Sequence, residues 1–496
     1  MNIFETEIKA KSILANPTPK ELRELAKKDE ITTEFGSASY TTRINSRSAK
    51  FTEIIFDKPT PEQEATVSKV LEYIKTRDLI MIERTMCQSK EIALGCRYYV
   101  TREFARIAYG WGETLFPKSK SEPDMTTIDI PEWPERKVLV HAGLHKTFIL
   151  GTDYTGEVKK SFLRLGMWMA KQKGWLGFHA GSKELIVTDK NGKLTSKGVL
   201  LFGLSGTGKT TLTCHHHFLK GKETVKIRQD DVVFIKDSGY CIGTEDNFYM
   251  KTEGLSPTQD PLLYKAVTAP NAVLENVWVE KETGRVDFND YHITSNGRAV
   301  VRRKDMGFTD NTIDIPYANI LIFIFRRMDI MPPVAKLSLE QAAAFFMLGE
   351  SVETSAGDPA KAGQQKRVVG TNPFIIGPEE DEGNLFYKIL KARKDIEVYV
   401  MNTGKVGGTG GAKITVADSA NIIKHIAKGD IKWKEDPDWH YLVPEAMPET
   451  EAKKFDPQNY YPPEEYKKMV AALRAERAAW LNNFKGLKKE IRDSIN

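Results

Sequence analysis

Cysteine is scarce in this chain. Its 496 residues include four, Cys87, Cys96, Cys214 and Cys241, none in CxxC spacing, so neither a zinc site nor a disulfide framework is indicated. Long hydrophobic runs are missing as well. Stretches such as Ile320 to Phe325 fall far short of the ~20 apolar residues that span a membrane. The first residues lack the charged-then-apolar order of a secretory signal, so a cytoplasmic protein without a membrane partner is expected. No charge of one sign dominates. Lys and Arg number 72 against 67 Asp and Glu, and a net +5 dispersed along the chain gives no reason to expect a nucleic-acid partner. Internal repeats and long low-complexity tracts are absent. What remains is an ordinary globular composition, at a length that predicts roughly two to four domains.

The most informative stretch is GLSGTGKT at residues 203–210, which fits Gly-x4-Gly-Lys-Ser/Thr. A short apolar run, residues 198–202, precedes it, and Thr210, Thr211 and Leu212 can open a helix. Gly203, Gly206 and Gly208 let the backbone turn and aim its N–H groups, with those of Leu204, Ser205 and Thr207, at phosphate oxygens. Lys209 adds a point charge and Thr210 a hydroxyl ligand for a nucleotide-bound magnesium. Binding of a nucleoside triphosphate is expected.

Elsewhere the chain alternates helix and strand signals. Thr18 with Glu21 and Thr60 with Gln63 form capping boxes with Pro at the first helical position. Strand-like runs occur at 79–82, 98–100, 137–140 and 147–150, and β-rich sequence follows the phosphate loop to about residue 330. Ser338 and Gln341 cap a further helix. Residues 355–367 lack periodicity and predict a mobile loop, and a strand at 397–401 precedes a glycine-rich stretch. In the tail, Tyr466, Met469, Val470, Leu473, Trp480, Leu481, Phe484, Leu487 and Ile491 share one helical stripe, as in a helix that docks on the core.

Asp230 and Asp231 follow Lys209 by about twenty residues at the end of a strand-like run, where acidic residues can hold a divalent metal. Upstream lie GTDYTGEVKK at 151–160, with Lys159 and Lys160, and then His179. Two adjacent lysines are usually a solvated pair, and a single His is more often structural than a ligand. In combination they resemble the ATP-dependent phosphoenolpyruvate carboxykinase family, in which a Gly-Thr-x-Tyr-x-Gly-Glu-x-Lys-Lys run, one His, the phosphate loop and an Asp pair occur in this order. Collinear short matches extend the resemblance: residues 47–50, 249–252, 255–257, 274–277, 296–298, 331–337, 402–404 and 413–419. Departures accompany them. Ala49 stands for a Pro, Gln229 and Asp246-Asn247 for glycines, Lys405 for a Trp, and Lys413 for an Arg, losing the planar guanidinium.

The resemblance implies two mixed α/β domains, a substrate-side domain at 1–175 and a nucleotide-binding P-loop domain at 176–496, with the active site in the cleft and a mobile lid at about 352–370. It implies the reaction of oxaloacetate and ATP to phosphoenolpyruvate, ADP and CO2, with small-molecule partners only, in a monomer or small homo-oligomer. By residue, it implies that Arg47 grips a substrate carboxylate and that Tyr154 lines the carboxylate or CO2 pocket. Lys159 and Arg298 neutralise the phosphoryl group and the enolate oxygen. Lys160, His179 and Asp231 bind a manganese-type ion, while Thr210, with Asp230 through water, binds magnesium. Ser205 faces the substrate side of the loop, and Lys251, Lys413, Ile414 and Ser419 lie on the nucleotide side. Two other readings stay open: a P-loop kinase with another acceptor, which leaves Arg47, Lys159, Lys160 and His179 without a role, and a catalytically silent nucleotide-binding regulator.

Overall fold

The computed structural model describes every residue except Met1, Arg47, Ser205, 354–363 and Asn496. Its contacts divide the described chain into two compact units. The first holds residues up to 169 together with 244–307; the second holds 170–243, 308–353 and 364–495. A second domain running unbroken from residue 176 was expected. Strand pairing explains the difference: Val273–Glu275 lies parallel to Ala38–Tyr40, with Leu274 opposite Ser39, and Arg298–Val301 pairs along its other edge. A segment that supplies the middle of a sheet must share that sheet's core.

The first unit contains this five-stranded sheet, ordered Phe248–Lys251, Arg298–Val301, Val273–Glu275, Ala38–Tyr40 and Ile31–Thr32. It also contains an eight-stranded sheet built around the antiparallel pair Asp78–Ser89 and Ile92–Thr101. Both expected capping boxes form, Thr18 with Glu21 and Thr60 with Gln63, each satisfying two otherwise orphaned N–H groups at a helix start. The helix so started at Pro61 buries Val67, Val70 and Ile74 against Phe148, Leu139 and Phe4. A longer helix, α1 (Thr155–Gln172), carries the paired lysines in its first two turns.

The second unit is built on a ten-stranded mixed sheet. Its centre is β1 (Leu176–Thr188), β2 (Leu194–Phe202), β3 (Ala318–Phe325) and β4 (Glu397–Asn402). β2, β3 and β4 run parallel, so the loop after β2 and the residues after β4 emerge at the same end of the sheet. Continuous apolar runs suit these strands because the sheet is covered on its faces. Phe178 sits 4.7 Å from Phe202 and 5.5 Å from Phe386, ring centre to ring centre, in a core that also takes Phe323 and Phe346. Ser338 caps Leu339–Leu348 as expected.

The tail differs in one respect from the single stripe expected. The helix Pro463–Leu481 stops where Asn482, Asn483 and Gly486 interrupt it, and a short helix, Lys489–Arg492, follows. Tyr466, Val470, Leu473, Leu481, Leu487 and Ile491 are nonetheless all buried in the core of the second unit. Of the expected lid, residues 354–363 lie outside the described residues. Its flanks do not read as loop: Glu350–Val352 and Gln365–Arg367 pair antiparallel, each too short to show a period in sequence. Among the described residues no helix is long and apolar enough to cross a membrane.

Candidate active site

In the second unit, strand pairing brings the phosphate loop, His179 and the Asp pair together. β1 pairs first with Thr224–Gln229, placing Gln229 opposite Ser182, and then with Val232–Ile235, placing Val232 opposite His179. The change of partner leaves Asp230 and Asp231 in the turn between, beside His179. Asp231 Oδ1 is 3.0 Å from His179 Nε2. On the other edge of β1, β2 delivers the loop 203–208. Gly206 (φ 87°) and Gly208 (φ 98°) take left-handed backbone that a side chain would strain, and Gly208 leads directly into the helix Lys209–Cys214. The Thr207 hydroxyl donates to the Leu204 carbonyl, and that of Thr403, just after β4, donates to the Thr207 carbonyl, both at 2.8 Å.

Lys209 is only 7% exposed, with Nζ 3.1 Å from His179 Nε2 and 3.3 Å from Asp231 Oδ1. His179 Nδ1–H donates to the Thr371 carbonyl at 2.7 Å, leaving Nε2 as an acceptor. Burial, and then the Lys209 charge, push the imidazole below its ordinary pKa, so it is a neutral donor at neutral pH. A neutral imidazole nitrogen and a carboxylate oxygen thus converge on one cation. That donor chemistry fits a borderline transition metal. Among the described residues no group of three or more His, Cys, Asp and Glu is arranged to hold a metal.

The first unit gathers the other expected residues around Tyr249. α1 begins where the Thr155 N–H donates to Glu275 Oε1 at 2.9 Å, and the Tyr249 hydroxyl donates to Glu275 Oε2 at 2.7 Å. Burial raises the Glu275 carboxyl, and burial together with Glu275 holds the Tyr249 phenol well above its ordinary pKa, so Tyr249 remains a donor. Lys159 Nζ pairs with Glu245 at 3.0 Å and lies 5.8 Å from the Tyr249 ring centre; the Arg298 guanidinium lies 5.6 Å from the same ring. Arg298 donates twice to Asn296 Oδ1, and Asn296 reaches the Tyr154 hydroxyl at 3.4 Å. Lys160 Nζ sits 5.0 Å from the Tyr154 ring centre. Lys251 pairs with Glu253, and burial lowers its ammonium pKa.

The remaining candidates fall in several places. Arg47 and Ser205 lie outside the described residues. Asp230 is buried, while Thr210 and Thr211 are half-buried at the start of the loop's helix. Lys413 is exposed on a hairpin opposite Lys405, Ile414 packs with Val406 and Phe455, and the Ser419 hydroxyl donates one turn back to Thr415. Sequence reasoning gave no role to Glu245, Glu275 or Tyr249. The last two lie inside short stretches that matched the family, and that was their only signal.

A family profile described as phosphoenolpyruvate carboxykinase matches residues 11–453. The phosphoenolpyruvate carboxykinase (ATP) of Aeropyrum pernix is 37% identical over 389 residues, covering 77% of each chain. The enzyme of that name from Alkaliphilus oremlandii is 26% identical over 421 residues, 79% of this chain and 75% of its own. One from Salinibacter ruber is 28% identical over 354 residues, 66% of this chain and 62% of its own. With nine-tenths of its length inside the profile and the phosphate loop, His179 and Asp231 folded onto one another, the chain belongs to the ATP-dependent phosphoenolpyruvate carboxykinase family.

Proposed function

We propose that this protein converts oxaloacetate and ATP reversibly to phosphoenolpyruvate, ADP and CO2. The observation that carries this reading, beside family membership, is the contact of Lys209 with His179 and Asp231, which joins a phosphate loop to a donor pair fit for a metal. Loss of CO2 leaves the electron pair of the broken C–C bond in an enolate. The enolate oxygen attacks the γ-phosphorus as the bond to the bridging oxygen breaks, and ADP leaves. Such transfer depends mostly on positioning and charge neutralisation.

In this reading Arg47 binds a substrate carboxylate and Tyr154 lines the CO2 side. Lys159 and Arg298, both directed to the Tyr249 ring, supply positive charge for the enolate oxygen and the phosphoryl group, and the Glu245 carboxylate holds Lys159 in place. Backbone amides from Leu204 to Lys209 and the Lys209 side chain bind the β- and γ-phosphates, with Ser205 on the substrate side. Lys251, Thr211, Lys413, Ile414 and Ser419 complete the nucleotide side, and a lid within 352–370 excludes water. Lys160, His179 and Asp231 would hold a manganese-type ion, and Thr210 with Asp230 the nucleotide's magnesium; the metals supply Lewis-acid charge. A cytoplasmic location fits such soluble substrates.

Oxaloacetate-dependent consumption of ATP tests the proposal. ADP and phosphoenolpyruvate should form together, and only when oxaloacetate is present. ATP hydrolysis indifferent to oxaloacetate, or none at all, would overturn it.

A further inference from the structure

Position 153 is the unassigned place in the Gly-Thr-x-Tyr run, and here it is an aspartate only 1% exposed. Its Oδ1 accepts the N–H of Ile44 at 2.9 Å. Its Oδ2 accepts the N–H of Arg43 at 2.9 Å and Arg106 Nη2 at 2.7 Å, while Arg106 Nη1 donates to its carbonyl at 3.0 Å. A buried carboxylate with an ionic partner and two amide donors is a strong anchor. The far end of the same segment is tied to the same helix start. The Ser48 N–H donates to Glu157 at 2.7 Å, and Arg136 donates to the Ser46 carbonyl at 2.7 Å.

We infer that Asp153, braced by Arg106, is a positioning residue that locks the backbone of Arg43 and Ile44, as Glu157 locks that of Ser48, to the start of α1 and thereby sets affinity for the carboxylate substrate. The inference rests on the proposed function, in which this segment carries Arg47 and α1 carries Lys159 and Lys160. Asparagine at 153 keeps the shape but replaces one acceptor oxygen with a donor and removes the negative charge that pairs with Arg106 at 2.7 Å and with Arg43 at 3.8 Å. The segment then loosens, and substrate binding must order it again. ATP, bound by the phosphate loop, should be indifferent.

Two measurements on the whole protein test this. In Asp153→Asn, KM for oxaloacetate and for phosphoenolpyruvate should rise about tenfold, with kcat and KM for ATP within about twofold. Hydrogen exchange of the amides at 41–48 should quicken about tenfold, with the phosphate-loop amides unchanged. Arg106→Lys, which keeps the charge but loses the two-pronged contact, should give a smaller change of the same kind, and it replaces Asp153→Asn if that variant does not fold. Unchanged exchange at 41–48, or KM for ATP rising in parallel with that for oxaloacetate, overturns the inference. Arg47→Ala separates it from the functional reading. If that variant leaves KM for oxaloacetate unchanged while Asp153→Asn quickens exchange, the clamp stands and its link to substrate falls; if the wild type does not turn over oxaloacetate at all, the functional reading falls first.

Discussion

Lys209 places an ammonium against the His179 nitrogen and the Asp231 oxygen, so the two donors meet a positive charge even without a metal. A lysine can add itself to that pair as a ligand only as the neutral amine. Lys160→Arg keeps a cation and removes the donor lone pair. It should abolish tight manganese binding and cost several kcal/mol of transition-state stabilisation, while ATP binding through Lys209 and Thr210 survives. Paramagnetic resonance of Mn2+ with wild type and variant checks this; equal affinities would make Lys160 an ordinary charge. Much at this scale was legible. The loop spacing and the order of Lys159, Lys160, His179 and Asp231 are short-range patterns. Glu245 and Glu275 were not, because a buried carboxylate that orients a lysine or starts a helix is recognised only by its distant partner, 86 residues from Lys159 in one case and 120 from Thr155 in the other. Asn247, which with Asp246 stands for a pair of glycines, braces its neighbours: its side chain accepts the Arg303 N–H and donates to the Glu113 carbonyl.

Among the elements, the strand Glu350–Val352 and the helix Pro463–Leu481 are joined by one ion pair. Arg477, wholly buried, donates through Nε and Nη2 to the two oxygens of Glu350 at 2.7 and 2.8 Å. Burial pushes the Glu350 carboxyl up, but Arg477, Arg367 and Arg327 together pull it further down, to about 2. A carboxyl depressed by folding contributes stability above its unfolded pKa of about 4.3 and loses it as pH falls through the folded value. Urea midpoints measured from pH 5 down to pH 2 should therefore fall more steeply in the wild type than in Glu350→Gln. At neutral pH that variant should be less stable by about 3–5 kcal/mol, since it strands a buried guanidinium; parallel pH profiles would refute this. In the proposed reading, the hairpin Lys405–Val406 with Ala412–Lys413 would lie on the nucleotide side. An exposed Lys413 in place of an arginine should leave kcat/KM favouring ATP over GTP by only about 1–3 kcal/mol, and a GTP preference would contradict it. Capping boxes made the helix starts legible, whereas the three-residue strands beside 354–363 were not, because three residues cannot display alternation.

At the scale of the molecule, the chain leaves the first unit near residue 169, returns to it for 244–307 and leaves again. Sequence periodicity marked the strands of both units but not which unit each joins, since pairing is decided between residues far apart, as Leu274 and Ser39 are. A fragment of residues 1–175 would retain only Ile31–Thr32 and Ala38–Tyr40 of the five-stranded sheet. It keeps the eight-stranded sheet whole, so it should still melt, but at a lower temperature than the full chain, and should bind a hydrophobic dye where the five-stranded sheet is stripped; an unshifted melt with no dye bound would show that 244–307 is dispensable to it. The same interleaving constrains birth on the ribosome. Ala38–Tyr40 must wait for its partner Val273–Glu275 to emerge, roughly 12–47 s later at ordinary elongation rates. Throughout that interval Ala38–Tyr40 offers an unpaired edge. A nascent chain of this topology has reason to meet a chaperone before it meets its own second half.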